Sequence, residues 1–174
     1  VYEFRDKRPS IGVGVFIHPT ASIIGEARIG NDCFIGPGAV LRADFGPIEI
    51  GKGSSIQDNV VIHVSPGSRV AIGDRVIIGH QAVLHDVILG DRCMVGMGAI
   101  LLQHVVCEED VFIAAGALVP HHTRIPSGKL AAGHPARIVG DVSAEMKALT
   151  AAGVTLYQQL AGDYLRTLIR VDVP

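Results

Sequence analysis

The chain has 174 residues and a formal net charge of −2, with 48% hydrophobic residues but only 5% aromatic and no Trp. That length suits one domain with a developed core. No basic run interleaved with aromatics points to nucleic acid, and no window is apolar for long enough to span a bilayer. The apolar content is Val, Ile, Leu and Ala beside 21 Gly, which predicts many short narrow strands.

In chain order, residues 1–10 form a charged N-terminal segment without an apolar signal core, so a cytoplasmic location is expected. Cys33, Cys93 and Cys107 are an odd number at unpatterned spacings, as in a reduced protein. A period of six then takes over. Aliphatic anchors recur at Ile11, Ile17, Ile23, Ile29, Ile35 and Leu41, at Ile50, Ile56 and Ile62, and at Ile72, Ile78 and Leu84. The series runs on through Leu89, Val95, Leu101, Cys107, Ile113, Val119 and Ile125. A small residue, often Gly, follows many anchors. Each hexad reads as one short strand and a turn, and only stacking buries its apolar side.

Nineteen anchors at three per coil predict an all-β solenoid of about six triangular coils over residues 11–140. Three irregularities interrupt the count. There are extra residues near Asp44–Pro47 and near Ser65–Ser68, and one residue fewer between Leu84 and Leu89. The repeat ends at Gly133-His134-Pro135-Ala136-Arg137, read as a strand-to-helix exit. Residues 141–174 form a C-terminal helical segment laid along the prism. Ser143 would cap a first helix, Gly153 would break it, and Thr155 would open a second with Leu156, Tyr157, Leu160, Tyr164 and Leu168 at helical spacing.

The register turns sequence into geometry. His63 follows anchor Ile62 and His85 follows anchor Leu84, three hexads later. The two are therefore stacked one rung apart, about 4.8 Å, and Arg42, after Leu41, joins their column. His80 lies around a prism corner, with Asp58 one coil away. Two stacked imidazoles can share a metal at Zn–N distances of about 2.0–2.1 Å. His80 points from another face and would complete the site of an adjacent molecule. Three His leave a fourth tetrahedral position for water, the catalytic form of a zinc site. Fe2+ and Co2+ accept the same donors. The bland alternative is surface histidines of a solenoid. That reading is kept for His18, His104, His121 and His122. Cys107 reads as a buried anchor.

These motifs together resemble the γ-class carbonic anhydrase family: Arg42-Ala43-Asp44, Gln57-Asp58-Asn59, His63 and Gly79-His80-Gln81-Ala82-Val83-Leu84-His85. Within it the chain is most similar to the PaaY and CaiE branch, through Tyr2-Glu3-Phe4-Arg5, Arg42 to Ile48, Val95 to Ala99 and Gly153 to Leu160. The resemblance implies a left-handed winding and a homotrimer. It implies zinc held by His63 and His85 of one subunit and His80 of the next. Arg42 and Asp44 would form an intersubunit ion pair, Asp58 and His80 would join the trimer interface, Gln57 would hydrogen-bond the metal-bound water, and Tyr157 would stand near the active site. The implied reaction is hydration of CO2 to bicarbonate. Hydrolysis of acyl-CoA thioesters, or metal-free acyl transfer by a hexapeptide-repeat enzyme, are the alternatives. Two departures from the most active members stand out. Phe45 occupies the place of a Glu, and Val64 to Arg69 holds no acid for a proton shuttle.

Overall fold

The computed structural model describes residues 1–172, so the last two residues of the expected 141–174 segment lie outside the described residues. The six-residue period folds as expected into a parallel β-solenoid. Strands of two to eleven residues stack into three columns, each column one face of a prism.

The anchors pair with one another in strict register. On face one Ile11, Ile29, Ile50, Ile72, Leu89, Cys107 and Ile125 are successive partners. On face two the series is Ile17, Ile35, Ile56, Ile78, Val95, Ile113 and Ala131. On face three it is Ile23, Leu41, Ile62, Leu84, Leu101 and Val119. The solenoid thus has about seven coils rather than six. Ala131 is a further anchor on face two, and its small side chain hides it from a search for large aliphatics. From Ile23 upward the anchors are buried and form one continuous core. At some corners the stacking is close enough to demand Gly after the anchor. A Cβ added to Gly79 would come within 2.7 Å of the Met97 backbone nitrogen in the next coil.

The C-terminal part corrects two expectations. Gly133 to Arg137 spans the tip of an antiparallel hairpin that turns at His134-Pro135, with strands Lys129–Gly133 and Ala136–Asp141 closing the top of the prism. The chain then forms a single helix, α1, over Ala144–Thr167, instead of two. Ser143 is its N-cap as expected, accepting a hydrogen bond from the Met146 amide at 3.1 Å. Gly153 does not break α1, although glycine costs a helix interior about 1 kcal/mol relative to Ala. The reason is tertiary: a Cβ there would reach 2.9 Å from the tip of Ile77, so the bare backbone lets α1 lie against face two. Thr155 returns its hydroxyl to the Ala151 carbonyl at 3.1 Å within the helix, rather than opening a new one. Tyr157, Leu160 and Tyr164 pack on Phe16 and Phe34, whereas Leu156 and Leu168 face outward. No helix of the described residues is long and apolar enough to cross a membrane.

Ile62 is fully buried at the centre of the stack. Ile62→Ala is expected to cost about 2–5 kcal/mol, read as a lowered denaturant midpoint at unchanged slope.

Candidate metal centre

All three breaks in the hexad count fall at the same corner, between faces three and one, in successive coils. The Asp44–Pro47 insertion lies within the long strand Val40–Ile50 that turns this corner, and the register with the coil below shifts there. The second insertion separates Val61–His63 from Val70–Ile72, and the shortened turn separates Val83–His85 from Ile88–Leu89. Below them Gly25 adopts a positive φ of 78°, and a Cβ there would overlap the Ala43 carbonyl oxygen. The corner is therefore built from backbone outward.

His63 and His85 are in-register partners, with Arg42 the partner of His63 in the coil below. The imidazoles meet nearly at right angles, and His63 Nδ1 lies 3.0 Å from His85 Nε2. Each ring's other nitrogen is held by a carboxylate: His63 Nε2 lies 3.1 Å from Asp44 Oδ1, and His85 Nδ1 lies 3.2 Å from Asp86 Oδ2. A neutral imidazole carries one N–H. If each ring donates that proton outward to its acid, both facing nitrogens present lone pairs, and His63 Nδ1 accepts from Arg42 Nη2 at 3.2 Å. Two lone pairs at this distance repel unless a cation or proton sits between them. Paired His–carboxylate contacts are also the usual outer support of metal-ligating histidines. The donor set thus fits a metal ion.

Electrostatics favour the neutral form of the His63 ring and the charged form of both acids. Burial lowers the His63 pKa; the Asp44 hydrogen bond opposes this, and the nearby Arg42 charge adds to the lowering. For Asp44 burial pushes upward, but hydrogen bonds from Arg42, at 2.7 Å, and from His63 outweigh it, and its pKa ends below the usual carboxylate range. Asp86 has a fully buried side chain. Burial pushes its pKa up too, and the Ser65 backbone N–H, at 2.6 Å, with the Ser65 and Ser68 hydroxyls and His85, brings it below the ordinary value.

His80 stands apart, at the corner between faces two and three. Its Nδ1 lies 3.4 Å from Asp58 Oδ2 and 3.3 Å from the Asp58 amide, and its own amide donates to buried Gln57 Oε1 at 3.2 Å. Among the described residues, no three His, Cys, Asp or Glu of one chain converge closely enough to hold a metal. One chain therefore brings together Arg42, Asp44, His63 and His85, and separately Gln57, Asp58 and His80. Tyr157 reaches toward the second group from α1. Its ring packs on Phe34, and burial, with the charge of Asp58, raises its pKa. Phe45 lies beside His63 with ring centroids 5.7 Å apart and remains half exposed.

Sequence comparisons place this architecture. The model "Bacterial transferase hexapeptide (six repeats)" matches residues 8–43 and 67–103, and "Hexapeptide repeat of succinyl-transferase" matches residues 26–63. The Carnitine operon protein CaiE of Escherichia coli (strain K12) is 32% identical over 92% of this chain and 82% of its own length. The mitochondrial Gamma carbonic anhydrase 1 of Arabidopsis thaliana is 42% identical over 90% of this chain. The chain belongs to the hexapeptide-repeat family, in the group that holds the γ-class carbonic anhydrases and CaiE. It spans 59% of the Arabidopsis protein's length, and 57% of that of its paralogue Gamma carbonic anhydrase 2. A solved structure of a hexapeptide transferase family protein from Anaplasma phagocytophilum superposes with a TM-score of 0.90 at 36% identity, covering 94% of this chain and 96% of that one.

Asp86 is the residue that the register alone passes over. Its signal is present nonetheless: an acid directly after the second stacked histidine, inside the one coil shortened by a residue. Because its folded pKa is depressed, Asp86 contributes stability above the unfolded carboxylate value, which is lost as pH falls through the folded one. Asp86→Asn should cost roughly 1–3 kcal/mol at neutral pH. Its deficit relative to the wild type should shrink on acidification below pH 4, as followed by chemical denaturation at stepped pH.

Proposed function

We propose that the protein is a zinc-dependent, γ-class carbonic anhydrase-like enzyme that hydrates CO2 to bicarbonate at the interfaces of a homotrimer. In this reading His63 and His85 of one subunit and His80 of a neighbour hold the metal, with Fe2+ or Co2+ as possible occupants. The observation that carries it is the facing pair of imidazole nitrogens, 3.0 Å apart, whose rings are each anchored to a carboxylate.

When bound, the metal supplies the Lewis acidity that makes water nucleophilic near neutral pH. The chain's own residues do the rest. Asp44 and Asp86 fix the tautomers of the two rings. Arg42 donates to Asp44 at 2.7 Å and so holds the column in place, and its other terminal nitrogen lies 3.2 Å from His63 Nδ1, a contact that a bound metal would replace. Gln57, buried beside His80, is the polar side chain available to orient the attacking water. Tyr157 stays protonated and can donate a hydrogen bond at the rim. Phe45 and the acid-free Val64 to Arg69 segment offer no proton shuttle, so hydration is expected to be slow for the class.

The trimer draws support from face three. Val40, Val61, Val83, Ile100 and Leu118 are in-register partners that point outward as one apolar stripe. Val61 and Val83 are each 38% exposed. A contiguous apolar stripe marks a contact surface. This one runs between the His63–His85 corner and the His80–Asp58 corner, so a neighbour seated on it brings the two groups together. The three cysteines are free and buried, which suits a cytoplasmic setting.

A second reading rests on the likeness to a hexapeptide transferase family protein. Acyl-CoA hydrolysis of the PaaY type would use the same centre, and the half-exposed Phe45 leaves an open rim for a larger substrate. Metal-free acyl transfer would need none. Metal analysis of protein purified without chelators is expected to give one zinc per subunit; a zinc-free, fully active protein would favour the transferase. CO2 hydration by stopped flow, beside acyl-CoA hydrolysis on the same zinc-loaded sample, separates the other two. His63→Ala and His85→Ala should abolish zinc retention. Asp86→Asn should weaken zinc binding by about 10–100-fold. Val83→Asp should yield monomers by light scattering and lose zinc with the trimer.

A further inference from the structure

Along its N-terminal half, α1 stands off the solenoid on one side. It is fixed along one edge by the aromatic cluster of Phe16, Phe34 and Tyr164, with ring centroids 4.7 Å apart for Phe16 and Tyr164, and by the close seat of Gly153 on Ile77. Along the other edge a cavity of about 470 Å³ remains open beneath it. That volume lies in the range of small-molecule sites, about 300–1,000 Å³. Its floor is apolar: Val111 and Phe112 from face two, Val142 from the link before α1, and Val154 from the helix. The hydroxyls that line it are already used, since Thr150 and Thr155 donate to helix carbonyls at 3.1 Å each.

The mouth is cationic. Arg75, Arg92 and Lys147 line it against one carboxylate, Asp110. Arg92 is committed to Asp110 at 2.8 Å and to Glu109, and Lys147 lies 3.9 Å from Asp110. Arg75 enters none of the ion pairs among the described residues. A guanidinium without a partner, set over an apolar slot with no spare hydroxyl, calls for an anionic head joined to a hydrocarbon body.

We propose that this cavity is a second binding site, separate from the histidine corner, for a small amphiphilic oxyanion. The head, a carboxylate or phosphate ester, is held by Arg75. The aliphatic or aryl body lies on Val111, Phe112 and Val154. The site needs no metal and does not depend on the reaction at the histidines. Gln158 lines the same cavity, and the residue before it on α1, Tyr157, lies close enough to Asp58 to feel its charge.

Isothermal titration of the purified, assembled protein with octanoate, octyl phosphate and octylamine, all below their micellar ranges, tests this. Saturable binding of the two anions, with octylamine at least tenfold weaker, is expected. Preference between octanoate and octyl phosphate distinguishes a carboxylate from a phosphate ligand. Arg75 is exposed, so Arg75→Gln should keep the fold and weaken anion binding by about tenfold or more, as loss of a charge-assisted hydrogen bond does. Ala151→Phe, which fills the cavity from the exposed side of α1, should abolish binding with zinc content unchanged. Equal binding of octylamine, no saturable binding of either anion, or indifference to both variants overturns the proposal.

Discussion

The pairing of His63 with His85 depends on parallel strands held in strict register through coils that are irregular at one corner. Register places equivalent residues one rung apart, so an imidazole after one anchor must stand beside an imidazole after the anchor three hexads on. The irregular corner supplies what a regular repeat lacks. The first insertion brings Asp44 around to His63, the second brings the Ser65 amide onto Asp86, and the shortened turn puts Asp86 beside His85. Each acid is ionised in spite of its burial because hydrogen-bond donors surround it, so the two rings stay oriented.

Much of this was legible in the sequence because a solenoid is nearly one-dimensional. Once the period is known, neighbours in space follow from counting, which is how His63, His85 and Arg42 fall into one column and His80 with Asp58 into another. The count erred where side-chain size, not position, carried the information. Ala131 is an anchor of the seventh rung, but it does not look like one beside Ile and Val.

The helical end was harder to read, for a different reason. Gly153 is a helix breaker by local propensity, and propensity is outweighed when a missing Cβ allows a closer approach to Ile77. The turn around His134 likewise depends on what lies beneath it. Gly133 to Ala136 reverses the chain so that a last strand can pair antiparallel with Lys129–Gly133. Neither decision is written within a few residues of where it acts. The role of Asp86 sits between these cases: its neighbour in sequence is informative, but its burial and its bond to Ser65 appear only when two coils are superposed.

The hairpin and the N-terminal segment have a joint effect on how such molecules can meet. A stack of parallel strands presents open backbone at both ends, a template on which another copy could continue the ladder. Here the top rung of face two is taken by an antiparallel strand whose register shifts at Leu130 and Ala131. At the bottom, Tyr2 bonds to Ile23 and Gly25 and occupies the lower edge of face three. With one face covered at each end, a second copy would find no complete ladder to extend, while the valines on the flank of face three stay clear of both caps.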